Sequence, residues 1–252
     1  MQAPFSVVII TKNAAAHLSK CLASCSAAAE IIVVDSGSQD NTVAIAIEAG
    51  ARVIQQAWLG FGPQKQFAVK QAEHNWVLCL DADEWLSIEL SLNINKLLIN
   101  PEFYAYRFAR SNKFMGRFLR HGEGYPDMSL RLFDRRYAHW SDDAVHETVV
   151  TTTTVGTVSG DLMHESGEDI SSYLDKQNRY TSLQAQILYS HGKQVSAIKL
   201  VLSPLLRFWK FYLFKQGWRD GVPGLVHITI GCINSFIKYA KLRELQRLGS
   251  SD

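Results

Sequence analysis

Cysteine is scarce in this chain of 252 residues, and its cysteines follow no recognisable pattern. No C-x-x-C spacing occurs among the four, which are Cys21, Cys25, Cys79 and Cys232. Small secreted domains usually carry regularly spaced cysteines that pair as disulfides. Cys79 falls inside an apolar run. The pattern therefore indicates reduced core thiols in a cytosolic protein.

Long apolar stretches and targeting signals are also missing. No segment reaches about 18 uninterrupted apolar residues, the usual requirement for a membrane-spanning helix. The N-terminus shows no basic segment followed by an apolar one, so no signal peptide is visible. We therefore expect a protein that is neither secreted nor membrane-spanning.

The phosphate-binding loops of several nucleotide-binding classes are absent as well. The turn after the first apolar run is Thr11-Lys12-Asn13, which is not the G-x-G-x-x-G of nicotinamide and flavin proteins, and no Walker A loop occurs. A haloacid-dehalogenase-type phosphatase needs its D-x-D after the first strand, whereas here it follows the fourth. A nucleotide bound by this chain would need its phosphates neutralised in another way, for which a divalent metal is suited.

The whole chain carries no large excess of charge, since its net charge is +2, but its last segment is strongly basic. Residues 193–247 hold ten Lys and Arg against two Asp and Glu. The same segment is rich in aromatics, namely Phe208, Trp209, Phe211, Tyr212, Phe214, Trp218, Phe236 and Tyr239. Basic and aromatic residues together favour an anionic surface. We interpret the segment as two interfacial helices on an anionic membrane, the first broken or kinked at Pro204, with no nucleic acid partner. An ordinary helical cap, a dimer contact and an RNA-binding module are the alternatives.

One stretch organises the rest of the chain. Residues 76–80 are all apolar, and they lead directly into Asp81 and Asp83. Such a run is typical of a strand buried on both faces of a parallel sheet, so the two acids fall at its carboxyl end, where α/β sheets place their ligands. In an extended chain both carboxylates point the same way and suit a divalent cation on a diphosphate. The alternative is a solvated acidic turn that caps the next helix.

Strand and helix patterns alternate before this stretch. Residues 5–10, 31–34 and 52–54 read as strands, with helical patterns between them and a glycine-rich loop at residues 60–66. This order predicts a doubly wound nucleotide-binding half. Three strand ends carry polar residues, which we expect to meet in one crevice; they are Thr11, Lys12 and Asn13, then Asp35, then Asp81 and Asp83. Residues 104–110 and 129–134 alternate like strands of a second half.

The chain resembles a known family at several of these motifs. Residues 6–13, 31–42 (I-I-V-V-D-S-G-S-Q-D-N-T) and 78–84 (L-C-L-D-A-D-E) are similar to family-2 glycosyltransferases with the A-type nucleotide-sugar fold. The resemblance extends over most of residues 5–190. Residues 60–66 and 140–143 are most similar to bacterial lipopolysaccharide inner-core β-1,4-glucosyltransferases that decorate heptose.

The resemblance implies an organisation and a reaction. Residues 1–190 would form the catalytic domain, with a nucleotide-sugar half at 1–100 and an acceptor half at 101–190, and residues 191–252 would form C-terminal helices. The enzyme would move a hexose, expected to be glucose, from a UDP-sugar to heptose of the lipid-A core. The transfer would be inverting, depend on Mg²⁺ or Mn²⁺, and occur at the inner face of the cytoplasmic membrane.

The resemblance also implies roles for particular residues. Donor contacts would come from Thr11, Lys12, Asn13, Asp35, Lys65 and Asp81. Metal ligands would be Asp83 and His164. Glu147 is the expected catalytic base. In a strand it would share a face with Val145 and Val149, and a carboxylate on an otherwise apolar face is partly desolvated, which suits a general base. Further candidates on the acceptor side are Arg131, Asp142, Asp143 and His146, of which the two aspartates are alternative bases.

Other functions remain open at this point. The acceptor could belong to another cell-surface polysaccharide or glycolipid. A sugar-1-phosphate nucleotidyltransferase shares the fold but requires a glycine-rich loop after the first strand. Residues 11–14 do not form such a loop. A non-catalytic membrane- or RNA-binding module would use the basic segment alone.

Overall fold

A mixed nine-stranded sheet is the centre of the fold. A computed structural model describes residues 3–142, 147–167 and 169–249. The sheet strands are β1 (Phe5–Thr11), β2 (Glu30–Asp35), β3 (Arg52–Gln55), β4 (Trp76–Asp81), β5 (Glu84–Leu86), β6 (Ala105–Phe114), β7 (Arg117–Phe118), β8 (Asp127–Asp134) and β11 (Val155–His164). Their order is β3-β2-β1-β4-β8-β6-β11-β5, and β7 pairs with β6. Two further strands, β9 (Ala138–Trp140) and β10 (Val149–Thr151), form a separate ladder.

The first half of the sheet is parallel and buried on both faces. β1 pairs in parallel with β2 and β4, and all seven of its residues are buried. Val7 and Ile9 enter one apolar cluster, whereas Val8 and Ile10 enter another, as expected for a strand covered on both sides. The register pairs Ile10 with Asp81 and Thr11 with Asp35. The ends of β1, β2 and β4 therefore lie at one edge of the sheet, and the crevice expected there stays a prediction.

The helices connect these strands and extend beyond them. They are α1 (Ala15–Ser24), α2 (Thr42–Glu48), α3 (Phe61–Gln71), α4 (Ile88–Leu97), α5 (Ile170–Ser190), α6 (Ala197–Phe208) and α7 (Gly221–Gly249). A π-helical turn at Trp209–Phe214 follows α6, and a 3₁₀ turn at Gly217–Asp220 precedes α7. In the described part of the chain, no helix combines the length and the apolar character needed to cross a membrane.

Three local expectations were wrong. The glycine-rich segment is mostly helical, because Gly60 takes φ +101° just before α3 and Pro63 lies in the first turn, where its missing N–H removes no helical bond. The chain turns at Ala82, so Asp81 and Asp83 do not lie on one extended strand. Finally, α6 continues through Pro204, so the expected break does not occur, and the alternative of a kink there stays a prediction.

The chain divides into two compact units. Residues 1–110 and 127–165 form the first, called the sheet unit, and residues 111–126 and 166–252 form the second, called the helical unit. This division differs from the predicted boundary at residue 190, because α5 packs along α7 and so belongs with the C-terminal helices. The assignment of the catalytic domain to residues 1–190 stays a prediction.

The helical unit exposes much of its apolar surface. Neither α6 nor the π-helical turn has a buried residue. Their exposed apolar side chains, called the α6 face below, are Ile198, Val201, Leu202, Leu205, Leu206, Trp209, Leu213 and Phe214. An apolar surface of this kind usually contacts something other than water.

Candidate active site

Asp35 organises the ends of β1 and β2. Its Oδ2 accepts the backbone N–H groups of Gly37 and Ser38 at 3.0 and 2.9 Å. Its Oδ1 accepts the hydroxyls of Thr11, at 3.1 Å, and of Ser38. Burial raises the pKa of Asp35, but these hydrogen bonds outweigh burial and lower it. The carboxylate is fully buried, and each of its oxygens accepts two hydrogen bonds. A nucleoside that donates to Asp35 would therefore have to replace one of these four donors.

The other residues predicted to contact the donor base surround this turn. Asn13 takes φ +52°, and its side-chain oxygen accepts the N–H of Gln39 at 2.8 Å. The N–H of Asn13 in turn donates to the Ser38 hydroxyl at 2.8 Å. Lys12 beside it is exposed. The structure thus brings Thr11, Asn13 and Asp35 together, and their donor-binding roles stay predictions.

Asp81 lies between two cations at the end of β4. Nζ of Lys65 is 2.9 Å from its Oδ1, and Nη2 of Arg131 is 2.8 Å from its Oδ2. Burial raises the pKa of Asp81, but the charges of Arg131 and Lys65 outweigh burial and hold the pKa well below its usual range. Both cations also lie over the ring of Trp140, 4.8 Å and 5.7 Å from its centroid. Asp81 is therefore a fixed carboxylate with compensated charge.

Lys65 joins this carboxylate to Glu147. Its Nζ is 3.1 Å from Oε1 of Glu147, which lies 82 positions further along the chain. The Lys65 side chain is 5% exposed, so both ion pairs are shielded from solvent on the lysine side. Glu147 precedes β10 and is not part of a strand, so the expectation that it shares a strand face with Val149 was wrong. The side chain of Glu147 nevertheless reaches Lys65, which contacts Asp81 at the carboxyl end of β4.

The two aspartates proposed as alternative bases are Asp142 and Asp143. Asp142 is exposed. Asp143 and His146 lie outside the described residues. Of the two candidate bases that the structure describes, Glu147 contacts Lys65 beside Asp81, whereas Asp142 is exposed.

Paired charged side chains continue from Asp81 across the sheet. Arg131 also donates to Oε1 of Glu84 at 2.8 Å, and Arg110 reaches the same oxygen at 3.2 Å. The carboxylate of Glu84 is fully buried, and its Oε2 accepts the N–H of Asp81 at 3.1 Å. Arg110 pairs in turn with Asp127 at 2.6 Å. Positive and negative groups thus alternate from Glu147 to Asp127 in what we call the charge chain.

Sequence reasoning missed part of the charge chain. Glu84, Arg110 and Asp127 were not singled out, although Glu84 directly follows the D-x-D. Its position inside a nearly apolar stretch, with Trp85 and Leu86 after it, was a usable signal, since a buried carboxylate needs a cationic partner. Arg110 and Asp127 carried no comparable signal, because their contact depends on the pairing of β6 with β8.

A cavity of about 330 Å³ opens beside the charge chain. Its walls are formed by Arg110, Met128, Ser129, Leu130, Arg131, Trp140, Glu147, Thr148 and Val149. Nε of Arg131 is buried and has no hydrogen-bond partner among the described residues. The cavity is thus bordered by the predicted base and by cationic groups, and it is large enough for part of a polar substrate.

Asp83 and His164 lie together on the other side of the turn. Oδ2 of Asp83 is 3.3 Å from Nε2 of His164, and both side chains are partly exposed. The pair arises because β11 lies antiparallel to β5, with His164 opposite Glu84. In the described part of the chain, no group of three or more His, Cys, Asp or Glu side chains could hold a metal. A cation here would therefore take two protein ligands and complete its shell from elsewhere.

Comparisons with known proteins fit this arrangement. Residues 6–151 match the family described as Glycosyl transferase family 2, over more than half of the chain. The chain belongs to glycosyl transferase family 2. This glycosyltransferase is 31% identical to the lipopolysaccharide core biosynthesis glycosyltransferase LpsC of Rhizobium meliloti, over 97% of the chain and 94% of LpsC. It is 32% identical to an uncharacterized glycosyltransferase of Rickettsia typhi, over 95% of the chain and 87% of that protein.

Solved structures share the fold of this glycosyltransferase. S. aureus TarS 1-349 in complex with UDP-GlcNAc has a TM-score of 0.51 and 14% identity, with 98% of this chain and 92% of that chain covered. TarS 1-349 without a named ligand gives a TM-score of 0.50 and 15% identity, over the same shares of the two chains. The predicted α/β fold of the A-type glycosyltransferases, with its C-terminal helices, is therefore confirmed.

Proposed function

We propose that this glycosyltransferase moves a hexose, with glucose as the expected sugar, from a UDP-sugar to heptose of the lipopolysaccharide inner core. The observation that carries the proposal is the contact of Lys65 with both Asp81 and Glu147, which joins the acidic strand end to the candidate base. The likeness to LpsC over almost the whole chain supports the class of acceptor. The TarS structure contains UDP-GlcNAc, and the likeness of its fold to that of this chain supports a UDP-sugar as the donor.

A divalent metal fits the residues at the turn. Asp83 offers a carboxylate oxygen beside an imidazole nitrogen of His164. Mg²⁺ is commonly bound through one or two carboxylates together with substrate phosphates, so two protein ligands are sufficient. When bound, the metal would neutralise charge on the leaving diphosphate. Asp81 is less suited to be a direct ligand, because Lys65 and Arg131 already contact both of its oxygens.

The other residues have separate tasks in the proposed reaction. Glu147 would accept the proton of the acceptor hydroxyl, for which a carboxylate within hydrogen-bond reach is suited. Lys65 contacts its Oε1, so Oε2 keeps acceptor positions within the described part of the chain. Arg131 and Lys65 would stabilise negative charge that develops near Asp81. A single displacement with inversion needs only one base, whereas a retaining hydrolase uses two carboxylates about 5 Å apart that flank one bond.

The proposed location is the inner face of the cytoplasmic membrane. The α6 face exposes large apolar side chains, and Lys199, Lys210 and Lys215 lie among them in the sequence. Lys and Arg side chains of this kind extend toward anionic headgroups while apolar neighbours enter the interface. These features support peripheral attachment near a lipid-linked acceptor.

The test is a donor screen followed by a transfer assay. Thermal unfolding of the full-length protein is measured with UDP-glucose, UDP-galactose and UDP-GlcNAc, each with Mg²⁺, Mn²⁺ or EDTA. We expect a UDP-sugar to raise Tm in the presence of metal, and heptose-containing core oligosaccharide to accept the sugar. Asp83→Asn should keep the fold and abolish metal-dependent transfer, because Asp83 is partly exposed and carries little of the stability.

Asp175→Asn is the matched control, since Asp175 is an exposed residue of α5 outside the site. It should behave like the unmodified enzyme. Near-normal turnover of Asp83→Asn, or transfer that EDTA leaves untouched, would remove the metal from the proposal. Transfer to a heptose-free glycan alone would place the acceptor in another surface polysaccharide.

A further inference from the structure

Polar side chains gather inside the helical unit, which is the reverse of an ordinary helical bundle. They surround a cavity of about 100 Å³, which has room for several water molecules. Every lining residue except Gly231 has a polar side chain; the set is Glu123, Tyr173, Gln177, Tyr180, Thr181, Gln184, Arg207, His227, Gly231, Asn234, Ser235 and Lys238. None of these residues belongs to the candidate active site. We call this space the helical cavity.

One side of the helical cavity is a fixed ion pair. Nε of Arg207 donates to Oε2 of Glu123 at 3.0 Å, and Nη2 of Arg207 contacts Oε1. The carboxylate lies directly against the backbone of α7, where a Cβ on Gly231 would clash with Oε2. A side chain at position 231 would therefore displace the carboxylate. Because each charge compensates the other, the pair offers hydrogen-bonding groups without a free charge.

The segment that carries Glu123 is held by the 3₁₀ turn before α7. Asp220 is almost fully buried, and one of its carboxylate oxygens accepts the N–H groups of Arg120 and His121 at 2.9 and 2.8 Å. Its other oxygen is 3.0 Å from Nδ1 of His121. These contacts fix the backbone two residues before Glu123. The position of the ion pair is thus determined within the helical unit.

The helical cavity is also lined by amide and imidazole groups. Nδ2 of Asn234 donates to Oε1 of Gln177 at 2.9 Å, which orients both amides. Nε2 of His227 is 3.2 Å from the hydroxyl of Tyr173, while its Nδ1 is buried and has no partner among the described residues. Burial lowers the pKa of His227, which favours the neutral ring. A buried nitrogen without a protein partner usually contacts water or a ligand.

We propose that the helical cavity is a saccharide-binding subsite, separate from the site of transfer, that holds a sugar unit of the acceptor. Sugar hydroxyls both donate and accept, which matches amides, hydroxyls and a compensated ion pair. Lys238 also lines the cavity and could contact an anion, but Arg207 is already paired and Glu123 would repel the added charge of a lone phosphate. An apolar ligand would leave the polar lining unpaired. The identity of the sugar as an acceptor unit rests on the proposed function.

The experiment measures sugar binding by the full-length protein and its variants. Methyl glycosides of heptose and glucose, and glycerol 3-phosphate, are titrated and followed by saturation-transfer NMR. Gln177→Leu removes an amide of the cavity wall, and Gln184→Leu removes one at the exposed rim, where folding is not at risk. Gln186→Leu is the control, because Gln186 is an exposed residue of the same helix that does not line the cavity.

We expect the two cavity variants to bind a methyl glycoside at least about tenfold more weakly, which equals the loss of one well-placed hydrogen bond. Gln186→Leu should bind normally, and all three should keep the Tm shift with UDP-sugar. Unchanged sugar binding in both cavity variants overturns the subsite. Binding of glycerol 3-phosphate without any glycoside also overturns it, in favour of a lipid headgroup.

The proposed function fails separately from the subsite. If no UDP-sugar shifts Tm and no transfer occurs while the cavity variants still lose sugar binding, the subsite stands and the proposed reaction does not. Loss of sugar binding in Glu147→Gln, with normal binding in the cavity variants, would show that the transfer site is the only sugar site measured. That result also overturns the proposal.

Discussion

Lys65 is the residue on which the candidate base depends for its position. It is nearly buried, and it links Glu147 to Asp81 at distances of 3.1 and 2.9 Å. We predict that Glu147→Gln lowers kcat by at least ~10²-fold, the usual range for a lost general base, while UDP-sugar affinity stays nearly intact. The glutamine keeps the shape of the side chain and a contact to Lys65. Steady-state kinetics together with the UDP-sugar Tm shift separate the two effects.

The alternative bases give this prediction its controls. Asp142→Asn changes an exposed carboxylate close by in the sequence and should leave kcat within about twofold, as expected for a surface substitution outside the reaction. An active Glu147→Gln combined with an inactive Asp142→Asn or Asp143→Asn would move the base to the turn at residues 142–143.

Single residues show where sequence reasoning ends. Asp81 and Asp83 were found from the sequence because a run of apolar residues followed by acids directly indicates the end of a buried strand. The contact of Lys65 with Glu147 spans 82 positions and depends on how α3 and the segment before β10 meet the sheet, which no local pattern records. Glu147 does not lie on a strand face, contrary to expectation, and its proposed role now rests on the Lys65 contact.

At the scale of elements, the charge chain ties together strands that are distant in sequence. Glu84 of β5 is fully buried and holds Arg110 of β6 and Arg131 of β8. We predict that Glu84→Ala lowers the free energy of unfolding by about 3–5 kcal/mol, because it removes the buried carboxylate that Arg131 and Arg110 share and leaves the nearly buried Arg131 with Asp81 as its acidic partner. Urea-induced unfolding followed by circular dichroism measures the change.

An exposed ion pair is the matched comparison. Arg52 pairs with Glu30 at 2.6 Å, but its side chain is 44% exposed. Arg52→Ala should therefore lower the free energy of unfolding by at most about 1 kcal/mol. Equal losses for the two variants would mean that the buried charge chain contributes no more than a surface contact.

Elements were predicted best where burial imposes a simple pattern. The parallel strands are apolar on both faces, so β1, β2 and β4 could be read from sequence. The start of α3 was misread as a loop, since two glycines and a proline usually mark turns, whereas here they lie at and before a helix start that the packing against β1 stabilises. Pro204 likewise sits inside α6, because the loss of one hydrogen bond is tolerated there.

At the scale of the whole molecule, the two units distribute apolar surface differently. The sheet unit buries its apolar strands in two clusters. The helical unit instead surrounds a polar cavity and leaves the α6 face exposed, with Phe214 82% exposed. The basic and aromatic composition of residues 193–247 indicated a surface-binding segment, but it could not show that polar groups lie inside. That arrangement depends on how three helices pack together.

This distribution leads to a test of membrane attachment. Leu206 and Phe214 lie on the α6 face and are 60% and 82% exposed, so replacing both with serine should change the free energy of unfolding by no more than about 0.5 kcal/mol per site. We predict that the double variant binds phosphatidylglycerol liposomes at least about tenfold more weakly, because large apolar side chains contribute about 1.5–3 kcal/mol each when fully buried. Liposome co-sedimentation measures the binding.

Salt and a control substitution separate the contributions to this binding. Each Lys or Arg near an anionic surface adds about 1 kcal/mol, so raising the salt concentration should weaken what remains in the double variant. Ile88→Ser changes an equally exposed apolar residue of the sheet unit and should leave liposome binding unchanged. If the double variant binds as tightly as the unmodified protein, the α6 face does not enter the lipid interface. The helices would then serve the protein as a structural cap, and the acceptor would have to reach the enzyme without membrane attachment through this face.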